Sequence, residues 1–295
     1  MSAVAVGVDV GGTKTHWRAV SSHAVVADRI VPSVLGAGIG DLAEWLVAGL
    51  RELEVPCDAL GVGAHGCDSP ALCRRLRDEL VHRLGAPVRV VNDAHLLPYA
   101  AGEPSAIGVI AGTGSVAAGT LPGGEPLLAG GWGWALGDEG SAAGLVREAV
   151  RAVLRDHDAG LPADELATEL LAALHADEVP ALSQALASAP GAEEWGRHAQ
   201  VVFAAAEAGS RTAARVVEEG GQALAALVET LISRGARAGA VVAAGGVITK
   251  QPRLFAALAD AVAARHPGLP VTLLTTAPVA GAVRLAQELL TTYPR

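Results

Sequence analysis

The residues best suited to chemistry near the N-terminus are Asp9 and the stretch Gly11-Gly12-Thr13-Lys14-Thr15. An apolar run precedes the stretch and a β-type run follows it, so the pattern predicts a strand, a tight glycine turn and a strand. The glycines permit positive φ and a close approach of backbone N–H groups, while the Thr and Lys side chains add donors and a positive charge. Such donors beside one carboxylate suit a nucleotide's phosphates and their Mg²⁺. An ordinary hairpin turn explains the same stretch equally well.

Three later stretches carry chemistry of the same kind. Asn92-Asp93 follows a short apolar strand, where an acid faces the crevice in which α/β sheets bind ligands. Asp93 is therefore predicted to act as a general base on an attacking hydroxyl, and a helix N-cap is the alternative. Gly112-Thr113-Gly114-Ser115 is a second glycine turn between strands. Gly245-Gly246 ends a late apolar strand, where flat backbone suits an adenine ring or tight strand–helix packing.

Together, these stretches favour one reaction class, phosphoryl transfer. Two glycine hairpins that face each other across a cleft would clamp a nucleotide's phosphates from both sides, with Asp93 facing the terminal phosphate. Positioning and charge neutralisation of this kind supply most of the catalysis in phosphoryl transfer. Neither the Walker A spacing nor G-x-G-x-x-G fits the first turn. Within this set, Asp9 is predicted to bind Mg²⁺ through water.

The elements that must position these residues alternate between strands and helices. The first region is predicted as β-β-β-α-β-α-β, with Asp41 and Ser69 as helix N-caps, and it ends at a hinge over 102–105. The strand–turn–strand theme then restarts. A long helical stretch follows, including one helix predicted over 192–208, before the chain returns to α/β. A length of 295 residues fits two domains.

Composition argues against several classes of function. The net charge of −9 gives no electrostatic support to nucleic-acid binding. The three cysteines, Cys57, Cys67 and Cys73, form no C-x-x-C, so neither a disulfide framework nor a structural zinc site is indicated. The first strand begins by residue 3 and leaves no room for a signal peptide. No apolar run reaches the ~18–20 residues that span a bilayer. We therefore predict a cytoplasmic protein without nucleic-acid or membrane partners.

Two glycine-rich motifs and the last helix carry a resemblance to a known family. The chain resembles the N-acetylglucosamine kinases and the BadF/BcrA-type ATPases of the sugar kinase/Hsp70/actin superfamily. The resemblance rests on Gly130-Gly131-Trp132-Gly133, Gly137-Asp138-Glu139-Gly140-Ser141 and Ala277-Pro278-Val279-Ala280-Gly281-Ala282.

The resemblance implies an α/β fold of two actin-like (ribonuclease H-like) domains with a nucleotide cleft between them. It assigns residues 1–104 and the last helix, about 279–295, to the first domain. Residues 105–278, with a helical insertion, would form the second.

The same resemblance implies a role for each stretch. ATP would bind with residues 11–15 as the first phosphate loop, residues 112–115 as the second, and Gly245 and Gly246 beside the adenosine. Asp93 would take the proton from the 6-hydroxyl of the sugar. The sugar would lie near a set of residues from both halves, namely Asn92, Asp93, Thr113, Gly131, Trp132 and Asp138. ATP and Mg²⁺ are the implied cofactors, and a homodimer is the implied assembly.

Two residues of the glycine-rich block also have a physical interpretation. Asp138 lies just before a predicted helix N-terminus, where a carboxylate is stabilised and accepts bonds from sugar hydroxyls. Capping of that helix by Asp138 or Ser141 is the alternative. Trp132 and Trp134 lie among glycines, and an indole face packs well on a sugar ring. Core packing of at least one of the two tryptophans is the simpler explanation.

Two loops differ from the family pattern, and both are expected to contact the acceptor sugar. The loop at 32–38 lacks the asparagine that touches the amino sugar in family members. The loop His65-Gly66-Cys67-Asp68 is polar where the family has small residues, which makes His65, Gly66 and Asp68 candidate substrate contacts. A solvated histidine is the plainer explanation of His65.

Three functions remain open at this point. The first is an ATP-dependent hexosamine kinase acting on N-acetylglucosamine or a related amino sugar, such as glucosamine or N-acetylmuramic acid. The second is a BadF/BcrA-type ATPase that couples ATP hydrolysis to a conformational change of a partner enzyme. The third is a sugar-sensing or filament-forming protein without catalysis, against which Asp9, Asp93 and Asp138 together weigh.

Overall fold

The first half of the chain forms a five-stranded mixed sheet. The computed structural model describes residues 3–34, 36, 38–189 and 191–292. The strands are β1 (Val4–Val10), β2 (Lys14–Ser21), β3 (Ala24–Pro32), β4 (Ala59–Ala64) and β5 (Val88–Val91). Their order is β3-β2-β1-β4-β5, with antiparallel pairing among β1–β3 and parallel pairing of β1 with β4 and of β4 with β5.

Helices connect the parallel strands of this sheet, which confirms the predicted order β-β-β-α-β-α-β. They are α1 (Ile39–Arg51), α2 (Pro70–Leu84) and, after a 3₁₀ turn at Asp93–His95, α3 (Leu96–Ala101). Ser69 caps α2 as predicted, because its hydroxyl accepts the Leu72 backbone N–H. The predicted cap at Asp41 is wrong. Gly38 precedes α1, and Asp41 lies in the first turn, where its charge still favours the helix dipole.

The second half repeats the topology of the first. Its strands are β6 (Ile107–Ala111), β7 (Ser115–Thr120), β8 (Pro126–Gly130), β9 (Val241–Ala244) and β10 (Val271–Leu273). The order β8-β7-β6-β9-β10 matches β3-β2-β1-β4-β5 of the first sheet. The predicted second strand–turn–strand unit is therefore confirmed. The sequence pattern did not predict β8, which begins at a proline and ends at a glycine.

The helices of the second half lie mostly between β8 and β9. They are α4 (Ala142–Asp158), α5 (Glu165–Ala173), α6 (Ala181–Ala187), α7 (Ala192–Gly196), α8 (Ala199–Ala208), α9 (Arg211–Ser233), α10 (Pro252–Arg265) and α11 (Val279–Thr292). The single helix predicted over 192–208 is therefore two, because α7 ends at Gly196. There the backbone approaches α4 so closely that a Cβ would lie 2.9 Å from Ala142 Cβ.

The last helix returns to the first sheet and packs on β1 and β4. Two strand glycines make this approach possible. A Cβ on Gly7 would lie 2.4 Å from Val283 N, and a Cβ on Gly61 would lie 2.0 Å from Ala282 O. None of the helices within the described residues is long and apolar enough to cross a membrane.

Candidate active site

The carboxyl ends of parallel strands bring three of the predicted residues together. Asp9 of β1 lies level with Gly63 of β4, and Gly63 lies level with Val91 of β5. His65 and Asp93 come two residues after Gly63 and Val91, so they leave the same edge of the sheet side by side. A 2.8 Å hydrogen bond from the His65 backbone N–H to the last residue of β1 fixes this edge.

Burial changes the acidity of both strand-end carboxylates. It raises the pKa of Asp9 to about 7, with the negative charge of Asp93 adding to the effect and Lys14 opposing it. Burial also raises the pKa of Asp93 to about 6, against the lowering effects of the His65 imidazole and the Ala94 backbone N–H. The two carboxylates therefore form an interacting pair in which loss of the second proton is disfavoured.

Asp9 is expected to destabilise the ligand-free protein at neutral pH. Its pKa is higher in the folded state than in the unfolded chain, so its contribution to stability is lost as pH rises towards about 7. Replacing Asp9 with Asn should remove that loss. Urea unfolding should then show the advantage of Asp9→Asn growing by about 3 kcal/mol between pH 5 and pH 8, levelling off above pH 7.

Asp41→Asn, on the exposed first turn of α1, is the matched control and should show no such trend. A variant at Asp9 that is less stable than the wild type at pH 8 would mean that a partner holds the ionised carboxylate.

The loop after β4 is tied to the turn that carries Asp93. The Asn92 side-chain amide donates to Asp68 Oδ1 at 2.9 Å, while its carbonyl accepts the Ala94 backbone N–H at 3.0 Å. Asn92 is thus the N-cap of this turn, and the Asp93 carboxylate accepts the same Ala94 N–H at 3.1 Å. His65 and Gly66 are exposed in the same loop.

The first hairpin turn is held by a residue that the sequence pattern did not single out. The Gly11 N–H donates to the Lys14 carbonyl at 3.0 Å, and the Ser33 hydroxyl donates to the Gly11 carbonyl at 2.7 Å. Ser33 also lies 2.8 Å from the Thr15 hydroxyl, and Thr15 is fully buried. Thr13 and Lys14 are exposed, so they, rather than Thr15, have side chains available to a phosphate.

Neither Gly11 nor Gly12 adopts the positive φ that glycine permits. A Cβ on Gly12 would meet nothing within 4 Å, so open space beside the backbone is what this glycine provides. In the loop at 32–38, Leu35 and Ala37 lie outside the described residues.

The second hairpin turn lies directly against Asp138. A Cβ on Gly114 would be 2.9 Å from Asp138 Oδ2, and the Ser115 backbone N–H donates to the same carboxylate. The Ser115 hydroxyl donates to the Glu139 carbonyl at 2.8 Å, so it holds the loop and is not free for a ligand. On the other side, Gly112 packs beside the Gly245-Gly246 turn, whose backbone N is 3.6 Å from a Cβ at Gly112.

Asp138 is buried in a loop with unusual backbone geometry. Its φ is +59°, a conformation that side-chain-bearing residues rarely adopt. Ser141 caps α4, which leaves the Asp138 carboxylate free of that task. Burial raises the pKa of Asp138, while the Ser115 N–H, Arg147 and His65 oppose the rise. The stabilisation of the ionised Asp138 carboxylate that is expected at a helix N-terminus is therefore weaker than the effect of burial.

The two tryptophans of the glycine-rich block have different surroundings. Trp132 is 75% exposed, at the edge of the cleft. Trp134 packs against Trp195 with ring centroids 4.6 Å apart, as the core-packing explanation predicts for one of the pair. Arg147 of α4 holds the loop from Trp134 to Gly137, because its guanidinium donates to the Trp134 carbonyl and, at 2.7 Å, to the Gly137 carbonyl.

His65 links the two halves electrostatically. Its imidazole lowers the pKa of Asp93 from the first half and of Asp138 from the second, in both cases against the stronger effect of burial. His95 links the halves physically, since its Nε2 donates to the Gly119 carbonyl of β7 at 3.1 Å. Burial lowers the pKa of His95 to about 4, so this bond is made by a neutral ring.

A cleft of about 1190 Å³ lies beside the loop after β4 and the turn of Asn92. Asp68 and Asn92 line one wall, and Gly131 and Trp132 line the other. Asp93, the next residue along the chain after Asn92, is buried and is not among the described residues that line the cleft. The volume is large enough for a ligand of the size that protein pockets usually hold.

The Asp9 region suits a divalent cation. The carboxylate is largely buried beside a second carboxylate, and no hydrogen bond to it comes from the part of the chain that the structure describes. Buried carboxylates without hydrogen-bond partners are costly, and oxygen ligands of this type are those that Mg²⁺ accepts. The residues present therefore fit the predicted ion.

The topology and the site together define a class of protein. The chain holds two copies of one α/β sheet, each with a glycine hairpin turn between its antiparallel strands, which is the topology of an actin-like nucleotide-binding fold. The chain belongs to the BadF/BadG/BcrA/BcrD ATPase family, whose sequence profile matches residues 6–284. The resemblance seen in the sequence is thereby confirmed.

Individual relatives agree with this assignment. The chain is 30% identical over 166 residues to the N-acetylmuramic acid/N-acetylglucosamine kinase of Clostridium acetobutylicum, covering 52% of this chain and 54% of that relative. It is 25% identical over 309 residues to the N-acetyl-D-glucosamine kinase of Dictyostelium discoideum, covering 95% and 97%.

A solved structure from Chromobacterium violaceum, described as a candidate N-acetylglucosamine kinase, matches with a TM-score of 0.72 at 23% identity. That match covers 97% of this chain and 99% of the other, and it confirms the predicted fold.

Proposed function

We propose that the protein is an ATP-dependent hexosamine kinase that transfers the γ-phosphoryl group of ATP to the 6-hydroxyl of an amino sugar. The observation that carries the proposal is the position of Asp93. It is a buried carboxylate that directly follows Asn92, which lines a cleft large enough for a sugar, and its charge acts on Asp9 at the end of the strand before the first glycine turn. Membership of an ATPase family supports ATP as the phosphoryl donor.

Asp93 accepts the proton of the attacking hydroxyl in this proposal. Its pKa of about 6 leaves it ionised at neutral pH and basic enough to take a proton as the oxygen attacks. The Ala94 N–H, 3.1 Å from Asp93 Oδ1, orients the carboxylate. The His65 imidazole lowers the pKa of Asp93, which favours the ionised form of the carboxylate.

The two hairpin turns hold the phosphates. Gly12, Thr13 and Lys14 offer backbone N–H groups, a hydroxyl and a positive charge from one side, while Gly11 holds the turn by donating to the Lys14 carbonyl and Thr15 positions it through Ser33. In the second turn, Thr113 and Gly114 offer donors from the other side, whereas Gly112 and Ser115 hold the turn and the loop of Asp138. Gly245 and Gly246 lie beside the adenosine. Asp9 would hold a Mg²⁺ ion, which would supply neutralisation of phosphate charge.

The acceptor lies between the loop after β4 and the glycine-rich block. Asp138 accepts hydrogen bonds from sugar hydroxyls, and the Asn92 amide donates to them. Trp132 offers an indole face to the sugar ring. The names of the relatives favour N-acetylglucosamine and N-acetylmuramic acid. Glucosamine is the third candidate, because His65 and Asp68 occupy positions that are small in the family.

A sugar panel tests the proposal. ADP release should be measured with Mg²⁺-ATP and each of glucose, glucosamine, N-acetylglucosamine, N-acetylmuramic acid and mannosamine, and the phosphorylated carbon should be located by NMR. We expect one amino sugar to stimulate ADP release and to carry phosphate on its 6-oxygen. No stimulation by any sugar, with ATP hydrolysis retained, would contradict the proposal.

The alternative function is an ATPase that drives a conformational change in a partner enzyme. The family name is the observation that favours it, since the family is described as one of ATPases. Sugar-independent ATP hydrolysis in the panel would favour this alternative. The domain division at 1–104 and 105–278, with the last helix joining the first part, stays a prediction that the packing of α11 supports. The homodimer and the cytoplasmic location also stay predictions.

A further inference from the structure

Two cysteines lie together in the wall of the acceptor cleft. Cys67 is in the loop after β4, and Cys73 is in the second turn of α2. The Cys73 thiol donates to the Cys67 backbone carbonyl with an Sγ–O distance of 3.4 Å. Cys67 is 2% exposed and Cys73 is half-buried, and both line the 1190 Å³ cleft. Neither thiol has a part in the phosphoryl transfer proposed above.

The two thiols differ in acidity. The neighbouring Cys67 thiol lowers the pKa of Cys73, burial opposes this, and Arg74 lowers it further. The Cys73 thiol and burial both raise the pKa of Cys67. Cys73 is also the more exposed of the two thiols, so it is the one that an oxidant in the cleft reaches and the nucleophile of the pair.

We propose that Cys67 and Cys73 form a reversible intramolecular disulfide, with a small-molecule disulfide that enters the cleft as the oxidant. The Cys73 thiolate attacks one sulfur of the oxidant, and the other sulfur leaves as a thiolate. Cys67 then attacks Cys73 Sγ and expels the second small thiolate, to which its proton passes. Two protein thiols are oxidised, and one small disulfide is reduced to two thiols.

The disulfide between Cys67 and Cys73 would form beside residues of the proposed sugar site. Asp68 lies within the 67–73 segment and accepts the 2.9 Å hydrogen bond from Asn92, the cap of the turn that carries Asp93. A covalent bond across this segment changes the position of Asp68. If the proposed function is right, on which this step rests, the oxidised protein has lower affinity for the sugar acceptor and an unchanged affinity for ATP.

The experiment counts thiols and needs no activity. The full-length protein is incubated with oxidised glutathione, denatured, and titrated for free thiols, with the disulfide located by peptide mass mapping. We expect free thiols to fall from three to one, a bond between Cys67 and Cys73, and restoration of three by dithiothreitol. The Cys57→Ser variant is the control, since that thiol bonds to the Ala59 carbonyl elsewhere, and it should fall from two to none.

Single variants of the pair make the test decisive. Cys73→Ser should keep both remaining thiols. Cys67→Ser should stop at a glutathione adduct on Cys73. Loss of no thiol in the wild type, a stable glutathione adduct on Cys73 in the wild type, or a bond that includes Cys57 would overturn the proposal. A correct disulfide with no sugar-dependent activity would instead count against the proposed function alone.

Discussion

Replacing Asp93 with Asn is expected to lower kcat by about 10²- to 10⁴-fold while leaving ATP affinity nearly unchanged. The amide keeps the size of the side chain and the bond from the Ala94 N–H, but it cannot accept the proton of the attacking hydroxyl. ATP contacts the two hairpin turns rather than Asp93 in the proposed complex. Sugar-dependent ADP release and equilibrium titration with a nonhydrolysable ATP analogue measure the two quantities separately.

The pH dependence of the wild type belongs to the same prediction. Activity should fall as pH drops through about 6, approaching tenfold per unit, because protonated Asp93 is no longer a base. Asp9 and Asp93 titrate as a pair, so the observed midpoint is a property of both. The residual activity of Asp93→Asn should lack this acid limb. Retention of full turnover in Asp93→Asn would refute the assignment of the base, and Asp41→Asn again provides the control.

Much of the site was accessible from the sequence because each of its parts is local. A glycine turn between two apolar runs and an acid directly after a strand are encoded within about ten residues. The common edge of Asp9, His65 and Asp93 follows from parallel pairing once the strands are known. Ser141 and Ser69 were recognisable caps for the same reason.

The missed features depend on contacts between distant parts of the chain. Ser33 supports the first turn from 22 residues away, and His95 reaches the Gly119 carbonyl from 24 residues away. Arg147 holds the glycine-rich loop through backbone carbonyls. Every residue has a backbone carbonyl, so the sequence does not indicate such a contact. The proline at Pro126 concealed β8, because an edge strand tolerates proline whereas a sequence pattern indicates a loop.

The adjacent glycines at 245 and 246 should respond very differently to a single methyl group. Gly245 has φ +117°, and a Cβ there would lie 2.3 Å from the Ala111 carbonyl oxygen. Gly245→Ala therefore combines a disfavoured backbone conformation with a clash against β6, and we expect a loss of about 3 kcal/mol or more of folding free energy. The unfolding midpoint should fall by on the order of 10 °C.

Gly246 has ordinary φ, and a Cβ there would meet nothing within 4 Å. Gly246→Ala should therefore keep the stability of the wild type but weaken ATP binding, because the methyl group would occupy the surface on which the adenosine is proposed to lie. Thermal unfolding without ligand and nucleotide titration at 25 °C distinguish the two effects. The two residues share one turn. Unchanged ATP affinity in a stable Gly246→Ala variant would therefore mean that the adenosine does not contact this turn. The adenosine site would then lie elsewhere along the edge of the second sheet.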